Sequence, residues 1–595
     1  MIADFYQERI RRFSYEEKVC TRQNNRYTWL RLIVIIAAVV SGMALYPVSA
    51  YWSVIAVSFW LAGFAVCLKK HLANMDRQQQ KERLKIINQQ ELNCLEGDFS
   101  AYSSGSEYEN AKHDYTADLD IFGAYSLFRY LNRTTSPSGS GMLAAWLGKP
   151  APTAEIKARQ QAVKELAGMV ELRQEMQAIG LKHKKLSREL PEFIEWLNCK
   201  AELSENRRLR LIMKILPCIT IAVIITAVLG WTPSIAVWLP VIVHFLLYGS
   251  VYQKVSELHQ KVSRKVEFVS AYSELIGLIT EARFSSPCLI AVHDGFGGND
   301  ALQQIRALRN RIRRLDYRLN MAYIPVNMLF FSDYGHLLWL ERWRADAGKK
   351  VPEWFDAMAK IEALSSFANV QHNHPAWAMP EIRDEYFTLE AKNMGHPLIR
   401  EKDRICNDFS LSGAGKIAVI TGSNMSGKST FERSAGVNMA LALSGAPVCA
   451  GAFTVTNCRL FTYMRISDNL EEQTSSFYAE LKRLKLLIDI AKDGQKVFFL
   501  LDEVLRGTNS RDRQIGSMAL IRQLAGRGVS GIIATHDLAL GELERELPDC
   551  VSNAHFDVQI AGEDMSFDYK LYDGICTSLN ASILMKKIGI EDVEL

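Results

Sequence analysis

Residues Lys416–Thr430 read KIAVITGSNMSGKST, and the reading of this stretch decides the C-terminal third of the chain. A short β-branched run ends at Gly422; four residues later Gly427, Lys428 and Ser429 complete the spacing G-x-x-x-x-G-K-[ST] and open a helical stretch. Strand, glycine-rich turn and helix in that order make a Walker A phosphate loop. Glycines let backbone N–H groups wrap phosphates, Lys428 reaches the β- and γ-phosphates of ATP, and the Ser429 hydroxyl suits Mg2+. A second apolar strand, Val497–Leu501, ends in Asp502 and Glu503. Asp502 fits a metal ligand, and Glu503 fits a general base orienting water, because phosphoryl transfer needs chiefly positioning and charge stabilisation. A third strand, GIIATHD, carries His536 to its C-terminal end, the edge where α/β sheets bind ligands, and suggests a γ-phosphate contact. With no separate acceptor site apparent, hydrolysis is expected rather than transfer.

Outward from this core, β-branched runs alternate with helical stretches from about Lys416, which predicts an α/β domain with a largely parallel sheet. The 595 residues are too many for one domain, and 48% hydrophobic with 23% charged residues excludes a collagenous, disordered or disulfide-stapled chain. The net charge of +4 is too small to argue by itself for nucleic acid. Eleven scattered cysteines with no C-x-x-C pair read as reduced cytoplasmic thiols.

Two stretches contain no Asp, Glu, Lys or Arg: Leu32–Leu68, 37 residues, and Ile215–Gln253, 39 residues. As single helices each would run about 55 Å, against a hydrocarbon core of about 30 Å. Pro47 breaks the first and Gly230–Ser234 the second, so each reads as a hairpin of two membrane helices, four spans in all. Cations flank both bases (Arg22, Arg26, Lys69 and Lys70; Arg207, Arg208, Arg210 and Lys254), while neither tip is charged. The positive-inside bias places the termini and all large segments in the cytoplasm of a multi-pass protein of the cell inner (plasma) membrane. The first apolar run starts too late and is too long for a cleaved signal peptide.

Between and after the hairpins the chain is mostly helical, apart from a polar loop at Ser100–Asp118. Ile305, Leu308, Ile312, Leu315 and Leu319 form an apolar seam for another helix. On the same helix Arg306, Arg309, Arg311, Arg313, Arg314 and Arg318 form a stripe that could meet nucleic-acid phosphates, anionic lipid headgroups or simply solvent. His372 and His374 lack a third ligand at sensible spacing and read as loop residues, not a metal site.

The motif series resembles the MutS family of DNA mismatch-repair ATPases, with the ABC-type nucleotide-binding fold. GHPLI, NDFSL, ITGSNMSGKST, SDNLEEQTSSFYAEL, LLDEVLRGTNSRD, ATHD and FDYKLYDGICTSLNASILMKKIGI occur in family order between Lys392 and Ile590. A looser match over Leu127–Leu166 looks like the start of the family's helical core and lever domain, and IEALSSFANV like its end. The resemblance implies a phosphate loop of Gly422, Ser423, Asn424, Met425, Ser426, Gly427, Lys428, Ser429 and Thr430. It makes Asp502 and Glu503 the metal and water-activating carboxylates and His536 the switch histidine. Ser475 and Ser476 fall at the signature hydroxyls presented across a homodimer of ATPase domains, with Asn509 and Ser510 in the loop between sites. ATP and Mg2+ are the implied cofactors, and mismatched duplex DNA the implied partner.

The departures are equally specific. Gln473 and Thr474 stand where the family signature usually has Gly and Arg, and Arg404 lies near the place of an adenine-stacking aromatic. The mismatch-reading domain with its Phe-x-Glu wedge has no counterpart, and the second hairpin interrupts the helical domain where a DNA clamp would be inserted. The expected order is a cytoplasmic segment 1–28, hairpin 29–68, polar linker 69–119, helical core and lever 120–210, hairpin 211–253, core and lever 254–390, and ATPase domain 391–595. The fold class is thus multi-domain: membrane hairpins, an all-α core and lever, and a C-terminal α/β P-loop domain. Two functions follow from different classes: a membrane-anchored MutS-like ATPase and DNA damage sensor acting in mismatch repair, or a mechanochemical or scaffolding ATPase that does not bind DNA. A transporter is a third reading, disfavoured because the spans lack Asp, Glu, Lys and Arg to line a pathway.

Overall fold

The computed structural model describes residues 2–182, 189–198, 207–263, 266–316, 323–385, 387–423, 425–464, 476–561 and 564–576. Two long helices, α1 (Ile2–Leu45) and α2 (Ala50–Leu95), form an antiparallel hairpin. Its turn contains Pro47, and Ser49 caps α2 by accepting from the Tyr51 N–H. No Gly or Pro lies between Lys69 and Leu95, so nothing stops α2 until Gly97, whose φ of 95° belongs to the left-handed region. This corrects the expected borders at 28 and 69: they mark a change of surface chemistry, not of backbone. Residues 2–28 and the first part of the expected linker are the polar lower halves of the same two helices. Ion pairs Lys81–Glu16 (2.7 Å) and Lys85–Glu17 (2.6 Å) and an Asn74-to-Asn24 amide hydrogen bond (2.7 Å) join them there.

Above that zone the hairpin is apolar and outward-facing. Among the described residues three helices, Ile2–Leu45, Ala50–Leu95 and Arg210–Val228, are long and apolar enough to cross a membrane. The fourth expected pass falls in the apolar helical stretch Ser234–Gly249, whose helix continues to Ser263.

The helical body comprises α3 (Leu127–Leu131), α4 (Pro137–Gly148), α5 (Thr153–Gly168), α6 (Val170–Lys182) and α7 (Glu189–Asn198). The second hairpin follows as α8 (Arg207–Val228) and α9 (Trp238–Ser263). Then come α10 (Val266–Glu281), α11 (Pro287–Gly295), α12 (Asp300–Asp316), α13 (Tyr323–Phe330), α14 (Ser332–Asp346) and α15 (Val351–Asn373). The expected seam is buried on α12 through Ile305, Leu308, Ile312 and Leu315, while Leu319 and Arg318 lie outside the described residues. Most of α15 is buried on all sides, packed against α4, α5 and α11, so it is the axis of the body. His372 sits in its last turn, not in a loop as expected, while His374 stands just past the helix and caps it. Among the described residues no group of three or more His, Cys, Asp or Glu could hold a metal.

The C-terminal part builds β1 (Glu381–Arg383), β2 (Thr388–Met394), β3 (Asn407–Ser412), β4 (Ile417–Gly422), β5 (Ala452–Thr456), β6 (Arg459–Tyr463), β7 (Val497–Asp502), β8 (Ser530–Thr535), β9 (Val551–Phe556), β10 (Gln559–Ala561), β11 (Asp564–Ser566) and β12 (Leu571–Asp573). The main sheet runs β12-β9-β4-β8-β7-β6, parallel except for β12, as the alternating pattern predicted. Strands β4, β7 and β8 are buried at every position, which explains their continuous apolar character. A second, mixed sheet, β1-β5-β2-β3, was not foreseen. Helices α16 (Lys428–Ser444), α17 (Ser476–Lys492) and α18 (Ser510–Gly526) connect the parallel strands.

The first hairpin is bolted to the body by one buried ionic cluster. Glu91 of α2, 1% exposed, accepts from Arg133 Nη2 (3.1 Å), Asn369 Nδ2 (2.9 Å), Asn373 Nδ2 (3.1 Å) and Tyr102 OH (3.0 Å). Burial pushes its carboxyl up, but Arg133 and the two amides outweigh that and leave it below its ordinary value. Glu91→Ala is expected to cost about 3–5 kcal/mol, because Arg133 is left buried without its counter-charge. The sign follows from the lowered carboxyl: this contribution is present above about pH 4.3 and lost as pH falls further. Thermal unfolding of the full chain against pH measures both.

Candidate functional site

The loop from β4 to α16 is shaped by its glycines. Gly422 has φ 152°, and a Cβ there would lie 2.8 Å from the Phe556 carbonyl oxygen; at Gly427, φ 110°, a Cβ would lie 3.1 Å from the Tyr569 ring. Lys428 folds back, donating to the carbonyls of Gly422 and Ser423 (2.8 Å each), with the His536 ring 3.4 Å away. Burial holds its ammonium pKa below the ordinary value. Ser429 Oγ donates to Asp502 Oδ2 at 2.7 Å, which joins the start of α16 to the end of β7.

Next along the chain, Glu503 has φ 49°, and its N–H donates to the Ala534 carbonyl (2.9 Å). The turn aims its carboxylate at His536 Nε2 (2.6 Å) and Arg506 Nε (2.9 Å). The hydrogen bond from His536 holds the carboxyl below its ordinary value against partial burial, with Arg506 adding to it. Lys428, Ser429, Asp502, Glu503 and His536, drawn from three strand ends, therefore meet around one cavity of about 780 Å³. Met425, Ser426, Gly427 and Thr430 line it too, Met425 being largely exposed, while Asn424 lies outside the described residues.

Other expected positions are less complete. Ser475, Gln473 and Thr474 lie outside the described residues; Ser476 is the first residue of α17. Asn509 caps α18, accepting from the Asp512 N–H at 2.9 Å, with Ser510 the helix's first residue. Arg404 does not face the cavity. Its Nε donates to the Ile399 carbonyl (3.0 Å) and its guanidinium sits 5.5 Å over the Trp377 ring, so it is not free to stack on a ligand. Ile405 and Tyr569 line the cavity instead.

Besides Ile405 and Tyr569, Arg506 and Glu432 escaped the sequence reading. Arg506 stands three residues after Glu503, and that spacing on a turn was its only signal. Glu432 lies one helical turn after Lys428, fully buried, and its Oε1 accepts from the Ala534 N–H (3.0 Å). Burial, then the charge of Asp502, push its carboxyl far above the ordinary range. Both backbone polar groups of Ala534 are thus engaged: N–H by Glu432, C=O by the Glu503 N–H.

The profile of MutS domain III matches residues 108–214, and that of MutS domain V matches residues 418–588. The chain belongs to the MutS family. The DNA mismatch repair protein MutS of Thermotoga maritima is 34% identical over 240 residues, 40% of this chain and 29% of that protein. MutS of Persephonella marina is 28% identical over 295 residues, 49% of this chain and 31% of the relative; MutS 2 of Halobacterium salinarum is 30% identical over 253 residues, 42% and 28%. This MutS-family chain thus spans about 30% of the length of the curated relatives it matches. The domain V match carries the whole cavity constellation from Gly422 to His536, and the domain III match stops at Lys214, where the second apolar stretch begins.

Glu432→Ala would strand the Ala534 N–H and is expected to destabilise the fold by about 1–3 kcal/mol, whereas Glu432→Gln keeps an acceptor and stays near wild type. Denaturant unfolding of the two variants separates these outcomes.

Proposed function

We propose that this chain is a membrane-anchored MutS-type ATPase. The observation that carries the reading is the convergence of Lys428, Ser429, Asp502, Glu503 and His536 on one cavity at the C-terminal ends of β4, β7 and β8. The 2.7 Å contact between the Ser429 hydroxyl and the Asp502 carboxylate is the donor set a Mg2+ would share. That ion would neutralise charge on the β- and γ-phosphates. Backbone N–H groups of the loop and Lys428 hold the phosphates. Glu503 takes a proton from the attacking water as its oxygen bonds to the γ-phosphorus, and the bond to the bridging oxygen breaks to leave ADP and inorganic phosphate. His536, hydrogen-bonded to Glu503, fixes the carboxylate's direction and contacts the γ-phosphate. Two copies engage through their ATPase domains, with Ser475 and Ser476 completing the site across the interface.

The named function of the relatives, DNA mismatch repair, makes a distorted duplex the first partner to test. The alternative, mechanical or scaffolding work at a membrane without DNA, is favoured by the hairpins, which stand before the domain III match and at its end. Support for anchoring comes from the first hairpin. Exposed Trp29 lies at its base and exposed Tyr46, Tyr51 and Trp52 at its tip, so aromatic residues bracket about 25 Å of apolar helix, close to a bilayer's hydrocarbon thickness.

In purified full-length protein, Glu503→Gln is expected to lower ATP hydrolysis at least about 100-fold while ATP binding persists; unchanged turnover removes the catalytic assignment. Binding to matched and mismatched duplexes at two salt concentrations decides between the two partners: mismatch preference favours repair, and no binding favours the membrane reading. For topology, Val48→Cys in a cysteine-depleted background should react with an impermeant maleimide on intact cells, and Ile515→Cys only after lysis. Equal labelling of both would refute the cytoplasmic placement of the ATPase domain.

A further inference from the structure

We propose that α13 is a third lipid-embedded element, inserted together with the second hairpin as one three-helix unit. The proposal rests on the membrane reading of the hairpins and extends it to a segment that the charge-free stretches did not include. Leu319–Ser332 contains no Asp, Glu, Lys or Arg over 14 residues, a run too short to read as a span from sequence.

The placement of α13 is set by His244. This α9 residue is 2% exposed inside the hairpin, its Nδ1 3.4 Å from the Thr220 hydroxyl of α8. Its Nε2 lies 3.2 Å from the Leu329 carbonyl oxygen of α13, and its ring stacks on Phe331 at 4.9 Å with planes 5° apart. His244 is six residues below Trp238 at the hairpin tip, and Thr220 six residues above Lys214 at its base. At 1.5 Å per residue the contact with α13 stands about 9 Å from Lys214 along α8 and about 9 Å from Trp238 along α9, with about 12–14 Å of apolar helix on the other side of each, near mid-height. Wherever the hairpin's middle lies in lipid, Leu329 lies there too.

The surfaces around this contact fit hydrocarbon. Ile219 and Ile225 of α8, Phe245 and Leu246 of α9, and Phe330 of α13 are each about half exposed or more. At the α13–α14 turn the buried Asp333 carboxylate is answered internally, as a low-dielectric setting demands of a charge. Asn327 Nδ2 and Tyr323 OH donate to the Asp333 carboxylate (2.7 and 3.1 Å), and the Asp333 N–H donates to Asn327 Oδ1 (2.8 Å). Exposed Arg313 and Arg314 end α12 just before the apolar run, where the cytoplasmic headgroups would lie. The lever helices α12 and α14 are then fixed to the bilayer directly.

The test uses the unmodified full chain, reconstituted in phosphatidylcholine vesicles with a minority of phosphatidylglycerol and a phosphatidylcholine bearing a diazirine in its acyl chain. After photolysis, adducts are mapped by mass spectrometry. The expected result is adduct yield on the peptide containing Met328–Phe331 comparable with that on α8 and α9, and at least about ten-fold above that on the peptide containing Ile515. Adducts on both hairpins with none on Met328–Phe331 overturn the proposal, including the case in which a second copy covers Phe330. Adducts on no hairpin overturn the membrane reading itself, and with it this extension.

Discussion

A carboxylate with 1% exposure can remain in a protein interior only if its charge is answered, and Glu91 is answered from three directions. Arg133 comes from the loop after α3, Asn369 and Asn373 from the end of α15, and Tyr102 from the segment that follows α2. The Arg133 guanidinium also lies 3.7 Å over the Tyr102 ring. The consequence is mechanical. The foot of the first hairpin cannot tilt relative to α15 without stranding a buried charge, so hairpin and helical body behave as one piece.

The same helix leads toward the candidate nucleotide site. His374, which caps α15, stacks on Trp377 at 4.3 Å and lies 2.6 Å from the Tyr130 hydroxyl. Trp377 in turn lies under Arg404, whose guanidinium grips the Ile399 carbonyl. Ile399 lines the cavity beside the β4–α16 loop, and neighbouring Arg400 packs against Gly97, where a Cβ would come within 3.0 Å of it. One short loop therefore touches both the cavity and the foot of the hairpin. Arg404 is committed to this junction, which explains why it does not take the place of an adenine-stacking aromatic.

Much of the candidate site was legible because its chemistry is written in contiguous residues. The spacing from Gly422 to Ser429 needs a strand before it and a helix after it, and β4 and α16 supply them. Asp502, Glu503 and His536 follow apolar runs whose uninterrupted burial is the signature of central parallel strands. Glu432 was not legible: an acid within a helix ordinarily faces water, and only the approach of β8 makes it a buried partner of Ala534. Tyr569 was missed for a similar reason, since it reaches Gly427 from a segment 142 residues away. In the helical body, the periodicity of α12 revealed its buried seam, while the continuation of α1 and α2 past the apolar zone went unread because charge and burial change there although the backbone does not.

By itself the sequence determined the strand, glycine turn and helix from β4 to α16, the parallel character of the main sheet and the two uncharged hairpins, since each follows from local spacing, periodicity or the absence of charge. The tertiary structure alone decided which distant groups share an interior. It paired Glu91 with Arg133, turned Arg404 toward Trp377, placed Glu432 beneath the Ala534 peptide and set α13 at mid-height on the second hairpin. Those outcomes depend on long-range burial, which makes an unpaired charge or amide costly and so selects partners that no local pattern records.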